Sequence, residues 1–161
     1  MRSLRRSSPV VAVGPGERVL ASCESVDGVV LAGTRDALYL GSTRIPWEQV
    51  EAADWDRDTD AFRVSLVGSW GHEKTTHSYD LLVPGRFLEL VRERVTASVV
   101  LQRHVSLRGR RGVRVIGRRP PRRTAAIEWF FEYDEGVDPA DPVVRAASAS
   151  ALAAARADVG L

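Results

Sequence analysis

The sequence predicts an α+β protein: short antiparallel strands closed by one amphipathic helix, then extended by a β-hairpin and a second helix. Three observations predict it. Apolar residues alternate with a period of two in several short runs before Pro84, and Gly, Asp or Pro stands at the junctions. At Pro84 the period lengthens to that of a helix, and at Asp141-Pro142 it does so again. The chain of 161 residues, 44% of them apolar, is long enough for one domain with a real core and an appendage.

Residues 1–13 read as a flexible basic arm. In "MRSLRRSSPVVAV" the apolar stretch after Pro9 is shorter than the roughly 7 to 15 residues of a signal peptide, so the expected location is cytoplasmic. No apolar run approaches the roughly 20 residues of a transmembrane helix. Val19, Ala21 and Cys23 mark a first strand, and Asp27-Gly28 is a hairpin turn signal. "VVLAG" and "LYLG" give the second and third strands around the turn "TRDA". The stretch "GSTRIPWEQVEAADWD" then slips phase. Ile45 and Trp47 keep strand spacing, but Val50 and Ala53 follow at intervals of three. Pro46 lacks an amide hydrogen and suits an edge or a break, so a bulge or one tight turn should re-aim the chain before Val50. "DRDTD" is a turn. Phe62, Val64 and Leu66 share one face of the next strand, and Tyr79, Leu81 and Val83 one face of the strand after the loop "GSWGHEK".

Pro84 fits the first turn of a helix. Phe87, Leu90, Val91, Val95 and Ser98 recur at helical spacing opposite Arg86, Glu89, Glu93 and Thr96, which predicts a helix ending near residue 103. Beyond it, "RRGVRVIGRRPPRR" carries a short strand with Val113 and Val115 on one face. In "TAAIEWFFEY" the residues Ile127, Trp129, Phe131 and Tyr133 share a face. If these two strands pair, Arg114 and Arg118 lie opposite Glu128 and Glu132. Asp141 is a good N-cap and Pro142 a good first helical residue for an alanine-rich helix to about Asp158, with Gly160 as its stop.

Within this order, "VVLAGTRDALYLGSTRIPWEQVEAADWD" resembles the bacterial pleckstrin-homology-like (PH-like) and GRAM-like domains. The resemblance rests on Thr34, Leu38 to Leu40, the Ile45-Pro46-Trp47 step and Val50, and it covers roughly residues 16–103. It implies a small antiparallel two-sheet barrel, or a partly open one, capped by the helix, with the Pro-Trp step as the turn between the third and fourth strands. It also implies a binding scaffold. Residues 14–104 form the PH-like domain on this reading, and 105–161 a basic hairpin with its alanine-rich helix. The sequence departs from the pattern at Arg35-Asp36-Ala37, and it continues well past the closing helix.

No catalytic signature is present. The segment "GHEKTTH" is not a zinc motif, because His72 and His77 are five apart in a loop entering a strand and His104 is remote. Glu51, Asp54, Asp56, Asp58 and Asp60 lack the turn glycine and closing glutamate of a calcium loop and read as a solvated acidic turn. Cys23, the only cysteine, sits in an apolar stretch as a buried bland thiol. No metal, cofactor or enzymatic activity is expected.

Charge is the anomaly. The chain has 22 arginines and one lysine, Lys74, a bias that suggests a high-GC bacterial genome. Residues 103–123 hold nine arginines and no acid, so the segment carries +9 and the remainder −7 of a net +2. Arg108, Arg110, Arg111, Arg118, Arg119, Arg122 and Arg123 are the candidate polyanion-binding set, for nucleic acid or an anionic lipid surface. The alternative is a solvated hairpin that pairs with Glu128, Glu132, Asp134 and Glu135. Trp129, Phe130 and Phe131 are the candidate partner surface, for a protein or a homodimer, unless the alanine helix covers them. The leading reading is a non-catalytic interaction module, ahead of a polyanion-binding protein.

Overall fold

The computed structural model describes residues 11–68, 75–121 and 126–161. It is α+β, with three antiparallel sheets and two helices. The described residues divide into two compact units, 11–97 with 120–121 and 98–119 with 126–161.

The first unit holds two sheets and a helix. Strands β1 (Ala21–Glu24), β2 (Val30–Gly33), β3 (Ala37–Leu40) and β4 (Thr43–Pro46) pair in chain order. Hairpin β1–β2 turns at Asp27-Gly28 as expected, with Gly28 at φ 83°. Strand β4 is the first departure from expectation. Leu40 pairs with Thr43, so Gly41-Ser42 makes a two-residue hairpin loop and "TRIP" is a strand of its own. The Pro-Trp step therefore lies between the fourth and fifth strands, not the third and fourth. Pro46 ends an edge strand, where its missing N–H breaks no ladder.

One 3-10 turn, Trp47–Gln49, re-aims the chain, and Val50 opens β5 (Val50–Asp56) in the second sheet with a bulge between Val50 and Ala52. Both devices that the phase slip predicts are thus present, one after the other. Trp47 swings fully inward, and its indole Nε1 donates to the Thr34 carbonyl at 2.9 Å. Strands β6 (Ala61–Leu66) and β7 (Thr76–Asp80) complete the second sheet, in the order β5-β6-β7. The two sheets meet at a single bridge, Ser25 to Leu81. Among the described residues no ladder continues it and no closed barrel forms.

Helix α1 (Phe87–Ser98) packs Phe87 and Val91 into the core beside Leu31, Leu38, Phe62 and Val64. Phe62 and Phe87 stack edge-to-face with centroids 5.4 Å apart. Gly33 permits this approach, since a Cβ there would fall 2.6 Å from Cδ2 of Leu90. The helix starts at Phe87 after a turn from Pro84, and it stops at Ser98 rather than near 103. Val99 and Val100 belong to a strand, as their β-branching favours.

The second unit is a sheet of β8 (Val99–Arg108), β9 (Arg111–Arg118) and β10 (Glu128–Tyr133), in the order β10-β9-β8, with helix α2 (Pro142–Asp158) on one face. β9 and β10 pair in the expected register, Glu128 opposite Arg118 and Glu132 opposite Arg114. At the bulge between Ser106 and Arg108 the strands run so close that a Cβ on Gly112 would lie 1.8 Å from the Val105 carbonyl oxygen. Helix α2 has its expected bounds. The Asp141 carboxylate accepts the Val143 amide at 2.8 Å, Pro142 leads, and Gly160 follows at φ 80°. Ala151 and Ala155 let the helix sit close on Val115, Trp129 and Phe131, and Arg103 pairs with Asp158. Among the described residues no helix is long and apolar enough to cross a membrane.

Candidate functional site

The arginine segment does not form one cluster. Arg108 and Arg111 are cross-strand partners on the last rung of the β8–β9 hairpin, Arg110 lies in its turn, and all three are exposed. Arg111 Nη1 donates to the Glu135 carbonyl at 3.2 Å. Arg118 stands at the other end of β9, seven residues and roughly 23 Å away at about 3.3 Å per residue. It is buried, 4% exposed, and its Nη1 donates to the Ser98 hydroxyl at 3.2 Å. The expectation that Arg118 offers its charge to a polyanion is corrected on that ground. Arg119 is half-buried and its amide donates to the Ser98 carbonyl. Arg122 and Arg123 lie outside the described residues. Between the two ends, Arg114 Nη1 pairs with Glu132 at 3.3 Å. Of the seven expected positions, the structure brings together Arg108, Arg110 and Arg111.

The aromatic set divides in the same way. Trp129 and Phe131 pack under α2 with Val115, Ala151 and Ala155, so the alanine helix covers that face. Both are half-buried, packed against that cluster. Phe130 points to the other face and is half-buried.

The remaining candidates have structural employment. His104 Nε2 lies 2.8 Å from Oδ2 of Asp134, which also accepts the Gly112 amide. Those two contacts hold the Asp134 pKa below the ordinary carboxylate value. His77 is on β7, and His72 is outside the described residues. Asp56 accepts the amides of Asp58 and Thr59, which makes the acidic turn and lowers its own pKa. Among the described residues no three metal-ligating side chains come together. Burial pushes the Cys23 thiol up to about 12, as befits an inert core cysteine.

Sequence reasoning missed two sites. The first is a buried carboxylate. Glu17, in the segment before β1, accepts Thr34 Oγ1 at 2.7 Å, the Tyr39 hydroxyl at 2.6 Å and Arg44 Nε at 3.1 Å. Burial alone would raise its pKa, but the hydrogen bonds from Tyr39, Thr34 and Arg44 outweigh it and hold the group at about 2. Burial and the neighbouring carboxylate raise Tyr39 in turn. This latch ties the N-terminal segment to the outer face of the first sheet, where Val11, Val13 and Val19 pack on Ala32, Ala37 and Tyr39. Val11 and Val13 are therefore packed, although the sequence assigns them to the flexible arm. The latch is a closed structural device.

The second is a groove of about 430 Å³ between β5, β6 and α1. Trp55, Phe62, Leu88 and Val91 make an apolar floor, with Ala53 beside them. Asp54, Arg57, Glu89 and Arg92 stand on the rim. None of these four forms an ion pair or hydrogen bond among the described residues. The groove runs beside β5, an edge strand in its sheet. Trp55 was the legible signal, a large aromatic in the stretch that slips phase. Leu88 falls outside the helical apolar stripe read from the sequence, so its place here was not legible. Comparison with family models, with characterised proteins and with solved structures found no match to this chain.

Proposed function

We propose that the chain is a non-catalytic, PH-like interaction module that binds a protein segment in the groove between β5 and α1. The groove carries this reading: an apolar floor, a rim of unpaired charges of both signs, and a volume within the usual range of binding clefts. Two antiparallel sheets followed by a helix in chain order support the coarser part of the arrangement that the PH-like resemblance implies. That agreement is an argument from fold and says nothing of the partner.

A second reading has its own observation. Arg108 and Arg111 face each other across the hairpin, where like charges are unfavourable. The carboxylates of Asp134, Asp138 and Asp141 are engaged with backbone amides instead of neutralising them. Three clustered arginines support a weak anionic contact, well short of the 6 to 10 phosphates that give steep salt dependence.

Selection of a displayed random peptide library on the full chain tests the proposal, with Leu88→Asp as the control. Duplex DNA, single-stranded RNA and anionic liposomes run in parallel, against a variant with serine at Arg108, Arg110 and Arg111. Peptides that bind the wild type and the serine variant but not Leu88→Asp are expected. Salt-sensitive polyanion binding lost in the serine variant, with no Leu88-dependent peptide, refutes the proposal and promotes the second reading.

A further inference from the structure

We infer that the second unit holds a small site for a free apolar α-amino acid, where the end of β8 meets the start of α2. The inference goes beyond the interaction reading, and the site shares no residue with the groove. Leu107, Val137, Val143 and Val144 give a pocket of about 130 Å³ its apolar lining, and Arg108, Asp138 and Asp141 bring both signs of charge to it. Opposite charges on one pocket wall would ordinarily pair, but these do not. Among the described residues the Arg108 side chain has no ion pair or hydrogen bond. Each aspartate has one oxygen in use: Oδ1 of Asp138 accepts the Ala140 amide at 2.9 Å, and Oδ1 of Asp141 the Val143 amide at 2.8 Å. The Oδ2 atom of each is without a partner among the described residues.

One guanidinium and two carboxylate oxygens are what a zwitterion requires. The guanidinium fork matches a carboxylate, and an ammonium group donates to both aspartates. The ligand's carboxylate therefore lies towards the hairpin and its ammonium towards residues 138–141. Its side chain covers Val143, which is 72% exposed beside the buried Val144 and loses that apolar surface from water on binding. Volume sets the size. The pocket is well below the roughly 300 Å³ at which clefts for drug-sized ligands begin, so it takes one residue and not a peptide. A residue inside a peptide has neither backbone charge, and a residue at a peptide end has only one. The walls are held in advance: the Val137 amide donates to the Asp134 carbonyl at 3.1 Å, the Asp141 amide to the Asp138 carbonyl at 3.2 Å, and Arg111 Nη1 to the Glu135 carbonyl at 3.2 Å.

The test is an NMR titration of the labelled full chain with L-leucine. Saturable shifts of Leu107, Val137, Val143 and Val144 are expected, with a Kd of about 0.1–1 mM for so small a ligand. Leucinamide lacks the carboxylate and N-acetyl-leucine lacks the ammonium, and each should bind about tenfold or more weakly. Arg108→Gln should weaken leucine about tenfold and should not weaken leucinamide, which has no carboxylate for Arg108 to hold. Asp138→Asn keeps an oxygen for the Ala140 amide, so it should weaken leucine and should not weaken N-acetyl-leucine. Loss of folding would weaken every ligand alike and cannot produce these two patterns. No saturable shift of the pocket residues in about 10 mM leucine overturns the site. Leucinamide or N-acetyl-leucine bound as tightly as leucine overturns the free amino acid as its ligand.

Discussion

Replacing Glu17 with glutamine should destabilise the first unit at neutral pH and remove one component of its acid sensitivity. The carboxylate is 5% exposed, and its pKa falls from 4.5 to about 2 on folding. At roughly 1.4 kcal/mol per unit the shift corresponds to about 3.5 kcal/mol. Arg44 is 43% exposed, and solvent screening brings the expected contribution down to about 1–2 kcal/mol. Geometry agrees. The Tyr39 hydroxyl accepts the Gly14 amide at 2.8 Å, so its own proton must go to Glu17. The Thr34 hydroxyl accepts the Asp36 and Ala37 amides and also donates to Glu17. One glutamine oxygen cannot serve both hydroxyls and Arg44. Because folding depresses this pKa, the stabilisation is fully present above about pH 4.5 and is lost as pH falls towards 2. Urea unfolding followed on the methyl signals of Leu31 and Leu38 isolates the first unit, which a global probe of two units would not. Glu17→Gln should unfold at lower urea at pH 7, and the gap should close between pH 5 and 2. A variant as stable as wild type at pH 7, or a gap undiminished at the acid end, would refute this account of the latch.

Three further outcomes follow from the packing. Gly112→Ala places a methyl group on the Val105 carbonyl, so β8 and β9 must part. A loss of at least about 3 kcal/mol in the second unit is expected, read from amide exchange across the β8–β9 ladder. Trp47→Phe strands the Thr34 carbonyl and opens space at the corner between the sheets. A cost of about 2–3 kcal/mol should appear in thermal unfolding of the first unit. The Cys23 thiol, buried and raised to about 12, should be silent to a thiol reagent at pH 8 and react stoichiometrically in denaturant.

What the sequence made legible was whatever local chemistry dictates. Asp141, Pro142 and Gly160 fix helix α2 through a cap, a pre-set φ and a left-handed stop, none of which depends on the rest of the chain. Asp27-Gly28 and Pro46-Trp47 mark corners for the same reason. The junction of α1 and β8 was harder, because no glycine or proline stands between Phe87 and Arg108. The alternation of Leu101, Val105 and Leu107 with Gln102, His104 and Ser106 was the available sign of the strand. Strand β4 was hidden by its length of four residues.

The candidate sites were less legible, since they are assembled over long separations. Glu17 meets Thr34, Tyr39 and Arg44 across 17 to 27 residues. Nothing near Arg118 announces that its guanidinium is buried on Ser98, 20 residues back. A count of arginines in sequence is blind to that, and equally to the length of β9, which separates the basic tip from Arg118.

The most direct test of the groove is amide chemical-shift mapping of the labelled full chain against a peptide recovered by library selection. The account predicts shifts concentrated on Ala53, Trp55, Phe62, Leu88 and Arg92. Shifts confined to Arg108, Arg110 and Arg111 would contradict it and move the binding site to the hairpin tip.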